Sequence, residues 1–207
     1  MNNGVDDRMS PRNEEQNKQI REERTEQLLK NALKVFARKG LSAAKINDIA
    51  NEAGSSYGLV YHYLGSKEEI FKTLVKLALD GSVMVVETAA NQELSPFEQL
   101  KWLTDTILHA LANEGAFYYL IMIQAFTSDA VPEEVKSMVK CTSPTAVEKL
   151  IPIIIAGQQA GQIVKDDPIK LAIVYFALIQ GVAMQQVQSN AAQPILHSDL
   201  VLRMFKA

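Results

Sequence analysis

Between residues 46 and 64 the chain carries two short apolar periods separated by a glycine, and this pairing limits the local fold more than any other feature. Ile46, Ile49, Ala50 and Ala53 recur at i, i+3, i+4 and i+7, the spacing of one helix face. Ala50 and Ala53 are small enough for close helix contact, and Gly54 can adopt the left-handed backbone that a bend requires. Ser55 and Ser56 complete the turn, and Ser56 can cap a second segment over 57–64, in which Val60 and Leu64 turn inward. Two short helices across a three-residue turn opening on glycine form a helix-turn-helix, here placed over 45–64. Its second helix then points Tyr57, Gly58, Leu59 and His62 outward, where such a helix meets a major groove.

The surrounding chain reads as helix throughout. Leu29, Leu33 and Phe36, with Leu28 and Ala32 beside them, predict a helix over 20–39, closed by Gly40. Ser66 and Glu69 form a capping box that opens a long helix led inward by Ile70, Leu74 and Leu77. Strand signals are nearly absent, and beyond residue 80 turn residues near 95–96, 113–115, 128–132, 166–168 and 190–194 mark off five or more further helices. Pro96, Pro132 and Pro168 suit first helical positions, whereas Pro144 and Pro152 are expected to bend or interrupt a helix over 133–161. The expected fold is all-α: a flexible arm over 1–18, a three-helix DNA-binding domain over 19–79 and a larger helical domain over 80–207.

Charge divides along the same line. Residues 19–79 hold ten basic against seven acidic side chains, +3, and residues 80–207 hold eight against thirteen, −5. A modestly basic module carried by an acidic body suits one end meeting phosphate. Cys141 is the only cysteine, which argues for a reducing compartment. The N-terminal residues lack the apolar core of a signal peptide, and the apolar stretches at 150–157 and 171–179 fall short of the roughly 20 residues that span a bilayer. A cytoplasmic protein with no membrane contact is expected. His62, His109 and His197 show no zinc spacing, and neither a Walker loop nor a nucleotide-binding glycine fingerprint occurs, so no enzyme, cofactor or metal is expected.

The stretch from Gly40 to Phe71, GLSAAKINDIANEAGSSYGLVYHYLGSKEEIF, resembles the N-terminal signature of the TetR family of bacterial transcription regulators. That signature runs from a Gly ending helix one, through Asp-Ile-Ala and Ala-Gly, to Gly-x-x-Tyr and Ser-Lys-Glu-Glu, and the resemblance covers roughly residues 20–80. Departures are Ala44 and Lys45 where the family has Ser or Thr, Ser55 for an apolar turn residue, Leu59 for a small residue and Leu64 for Phe. The resemblance implies that Tyr61 touches backbone phosphate and that Tyr57 and His62 face DNA. It also implies a homodimer joined through the last two long helices, here 168–188 and 194–205, with a small effector bound in the body.

Lys45 and Lys67 each fall in the first turn of a helix, where the macrodipole disfavours a cation by about 0.3–1 kcal/mol. Phosphate oxygens also favour helix N-termini, so both lysines are expected on the operator backbone; Ser55 and Ser56 of the turn are expected among the DNA contacts, and Leu59 can meet a thymine methyl. For an apolar or aromatic effector, the expected lining is Trp102, Phe117, Tyr118, Met122, Phe126, Tyr175, Gln180 and Met184, aromatic and Met side chains with a few polar tips. The functional expectation is a repressor released from a near-palindromic double-stranded operator by that effector. The alternative is a helix-turn-helix protein without a small-molecule effector, regulated by a protein partner.

Overall fold

A computed structural model describes residues 11–188 and 196–207 of the chain. Nine helices follow one another among the described residues: α1 (Pro11–Ala43), α2 (Ile46–Glu52), α3 (Tyr57–Leu64), α4 (Lys67–Ala90), α5 (Pro96–Leu111), α6 (Gly115–Thr127), α7 (Glu133–Gln159), α8 (Pro168–Gln188) and α9 (Ser198–Val201), the last running into a 3₁₀ turn over Leu202–Met204. Of the expected arm, residues 1–10 lie outside the described residues. Residues 11–18 instead start α1, exposed from 15 onward and supported by i,i+4 pairs such as Lys18–Glu22 and Gln19–Glu23.

The caps expected from the sequence set the breaks. Gly40 takes φ 75° and kinks α1 near its end, and Gly54 takes φ 56° in the turn between α2 and α3. Ser66 accepts the Glu69 N–H at 3.3 Å while the Glu69 carboxylate accepts the Ser66 N–H at 2.8 Å, the reciprocal box that starts α4. Ser95 and Glu98 repeat it at α5, where Pro96 is the first helical residue. α7 runs unbroken through positions 144 and 152, contrary to the interruption expected there. Pro152 is exposed, so the carbonyl that its ring deprives of a partner can turn to water.

Two hydrophobic cores lie end to end. The first joins α1, α2, α3 and the first half of α4 to Ile121 and Ala125 of α6 and Val135 and Val139 of α7. Phe36 and Phe71 meet there edge to face at 5.5 Å, both fully buried. The second joins the end of α4, α5, Ala116 of α6, the second half of α7, α8 and the C-terminal residues. α4, α6 and α7 therefore serve both cores. α4 turns Ile70, Phe71, Leu74, Val75 and Leu79 inward, whereas Leu77, expected inside, is 44% exposed at the margin of that face.

By length and composition, 168–186 of α8 is long and apolar enough to cross a membrane, which corrects the reading of its apolar stretch as too short. One side of this helix, carrying Ala172, Tyr175, Ile179 and Ala183, is buried in the second core. The other side leaves Ile169, Ile173, Val174, Leu178 and Met184 exposed, interleaved with Lys170 and Gln180.

The C-terminal segment corrects a second expectation. No long helix spans the described part of 194–205, and residues 194–195 lie outside the described residues. Phe205 is fully buried against the edge of Tyr175, and its carbonyl accepts the Val164 N–H at 3.0 Å. Lys101 of α5 donates to Ser198 at 3.1 Å and to Asp199, which fastens α9 to its own subunit. Ser198, Val201, Leu202 and Phe205 are buried and close this chain's second core.

Candidate nucleic-acid interface

α3 is positioned from within by Val60, which is completely buried, while Leu64 and Tyr63 pack partly on the same core. At 100° per residue this turns 58, 61 and 62 away from the core, with 57 at the margin of the buried side. Tyr57 and Tyr61 are 52% and 53% exposed, and their rings lie parallel, 7° apart in plane with centroids 6.1 Å apart. Gly58 is exposed between them, and His62 stands beside them with its ring edge-on to Tyr63. Ser56 caps the helix, its hydroxyl oxygen accepting the Leu59 N–H at 3.3 Å. Ser55 is half-buried in the turn, its N–H donating to the Ala50 carbonyl at 2.8 Å. Leu59 departs from the expectation: it is half-buried and packs against the first core rather than pointing out. A leucine at that place gains more from covering Val60's neighbours than from standing in water.

The helix pair is fastened to α1 by charge. Lys39 meets Asp48 at 2.8 Å and Arg38 meets Glu52 at 3.6 Å. The Lys39 ammonium, and then the Lys45 N–H at 2.9 Å, hold the Asp48 carboxyl below its ordinary range. The Ser66 N–H, and then its hydroxyl, do the same to Glu69.

The two lysines expected on phosphate fare differently. Lys45 is exposed at the start of α2. Lys67 is half-buried, and its ammonium is turned back onto the Leu41, Ser42 and Ala44 carbonyls at 3.1, 3.4 and 3.5 Å. A cation is favoured beside the loose carbonyls at the end of a helix such as α1.

Pins from the body also reach α1. Gln124 of α6 donates to the Phe36 and Ala37 carbonyls at 3.0 and 3.3 Å, leaving its own Oε1 buried without a hydrogen-bond partner among the described residues. Lys34 meets Glu114 at 2.7 Å, and the Arg38 guanidinium lies 5.9 Å from the centre of the Phe117 ring. Sequence reasoning missed these pins because the partners stand far apart in the chain.

The eight residues expected around an effector do not converge on one cavity. Tyr175 is fully buried with its hydroxyl 3.1 Å from that of Thr104, and burial pushes its ionisation well above the ordinary tyrosine value. Gln180 and Met184 lie about 140° and 180° round α8 from Tyr175 and are exposed. Phe126 is 52% exposed near the end of α6. Phe117, Tyr118 and Met122 pack on the first core, and Trp102 on the second. Tyr119, not among the eight, packs partly buried against the second core, and desolvation pushes its ionisation up to about 12. A cleft of about 350 Å³ opens instead between α1 and α2, lined by Arg38, Lys39, Asp48 and Glu52.

A short helix seated by one buried valine, turning tyrosines outward across a glycine-hinged bend from its partner, is the reading element of a helix-turn-helix protein. Residues 28–74 match the model described as bacterial regulatory proteins, tetR family. Over that stretch the chain resembles the family. It is 33% identical over 90 residues to the transcriptional repressor KstR2 of Mycobacterium tuberculosis, a match over 44% of this chain and 45% of KstR2. It is 27% identical over 139 residues to the transcriptional activator FasR of Mycolicibacterium smegmatis, over 67% of this chain and 62% of FasR. The chain thus spans less than two thirds of the length of either relative. In solved structures, the TetR family regulator PfmR of Thermus thermophilus superposes with a TM-score of 0.67 at 24% identity, over 85% of this chain and 97% of PfmR. The ketosteroid regulator KstR2 superposes at 0.68 and 22%, over 89% and 95%. At these identities the superpositions show the fold.

Proposed function

We propose that the chain is a cytoplasmic, homodimeric transcription regulator whose two α3 helices enter successive major grooves, roughly 34 Å apart, on a near-palindromic operator. The observation that carries this reading is the outward face of α3: exposed, ring-stacked Tyr57 and Tyr61 with Gly58 and His62, held by a fully buried Val60. Tyr61 and Lys45 meet phosphate. Tyr57 and His62 approach base edges, and Gly58 lets the helix come close. The exposed apolar side of α8 supplies the dimer contact, and repression is occlusion of a promoter.

An apolar or aromatic effector in the body weakens the grip by about 1–3 kcal/mol of coupling. Support for an effector comes from the relatives, one of which is a ketosteroid transcriptional regulator. The scatter of the eight expected lining residues favours a second reading, a regulator governed by a protein partner instead. Selection from a random-sequence duplex pool at low salt tests the first claim: a near-palindrome with half-sites one helical turn apart should be enriched, and absence of any preferred fragment overturns it. Repeating the binding with steroid and fatty-acyl probes tests the effector. A fall in affinity supports the first reading, and an unchanged affinity with every probe supports the second.

A further inference from the structure

The corner between α1 and α2 is made of residues whose carbonyls have no helical partner. Gly40 breaks the helix with a positive φ, and Leu41, Ser42 and Ala44 then point their oxygens toward the start of α4. Lys67 stands there. An ammonium has three protons to donate and accepts nothing, so the three carbonyls absorb its donor set. Its charge also sits at the negative end of α1, where a cation is favoured, which offsets the penalty of occupying the first turn of α4. Lys45 follows the last of these carbonyls directly. It is exposed, with its own N–H fixed by Asp48.

We infer that Lys67 is a positioning residue for operator binding: it fixes the 41–44 corner, and through it Lys45 and α2, and makes no phosphate contact of its own. The inference rests on the DNA-binding reading above and assigns the lysine a different part in it.

Salt dependence separates the two roles, because taking one cation off the phosphate backbone lowers the slope of log K against log salt by about 0.9. Lys67→Met keeps the stem and removes the donors. Measured by fluorescence anisotropy on the selected operator, well below the unfolding temperature, its affinity should fall roughly tenfold with the slope unchanged. Lys45→Ala should lower the slope, and its effect on affinity should shrink when combined with Lys67→Met, a coupling that simple loss of stability would not produce. A slope lowered by about 0.9 in Lys67→Met, or an affinity equal to that of the unaltered protein, overturns the inference. Should Lys67→Met fail to fold, acetic anhydride labelling of the unaltered protein decides. Lys67 should label slowly with or without operator, and Lys45 should become protected only when operator is added; protection of Lys67 that arises only with operator overturns the assignment. An unaltered protein with no preferred fragment would instead sink the DNA-binding reading itself.

Discussion

At Gly58 an added methyl group would meet no atom within 4 Å. Its φ is not positive either, so neither packing nor backbone geometry inside this chain calls for glycine there. Glycine inside a helix costs roughly 0.5–1 kcal/mol relative to alanine, and such a cost without an internal reason points to something that approaches from outside. Gly58→Ala should therefore raise the stability of the protein by roughly that amount in urea unfolding while weakening operator binding, read by gel shift. Stabilisation without any loss of binding would remove Gly58 from the interface. The same logic separates the residues that could be read in advance from those that could not. Val60, Ser56 and Gly54 act on neighbours within a few positions, so spacing reveals them. Lys67 acts on carbonyls more than twenty residues away, and nothing in its local sequence distinguishes a lysine that meets phosphate from one that caps a helix.

Among the elements, α7 tests how far propensity governs this fold. Its 27 residues include Pro152, which deprives the carbonyl of Glu148 of a partner without ending the helix. The apolar residues around it, Leu150, Ile153 and Ile154, are buried in the second core and hold the helical course against that loss. Pro152→Ala should restore the bond and raise stability by about 2 kcal/mol, after allowing for the freer unfolded chain, as measured by chemical denaturation. No gain would mean that the ring itself packs usefully. The start and end of α3, the capping box of α4, the first residue of α5 and the breaks between later helices were legible because caps are local. The course of α7 and the short C-terminal α9 were not, because long-range burial decides them: Phe205 folds back onto Tyr175 thirty positions earlier rather than extending a helix.

For the whole molecule, the exposed side of α8 is the feature with the largest consequence for assembly. Ile173 is 55% exposed with Ile169, Val174 and Leu178 near it, a stripe that water would cover only at a cost in free energy. Ile173→Lys should leave the chain folded, give a monomer in sedimentation at micromolar concentration, and lower operator affinity by at least roughly tenfold, since one half-site alone must then hold the protein. A variant that stays dimeric would move the interface elsewhere. The body's interior was the least legible part, because all-round apolar helices such as α6 give no period from which to tell a lining residue from an ordinary core residue. That same helix decides how the molecule can be taken apart. Ile121 and Ala125, with Val135 and Val139, complete the core that α1 to α4 begin. A chimaera made by cutting after residue 79 and grafting the head onto a foreign body would strip those four side chains away and leave bare hydrocarbon on α1 and α4. A transplant that keeps its grip has to carry the far half of α6 and the near half of α7, so the natural seam runs crosswise through three helices rather than at one point along the chain.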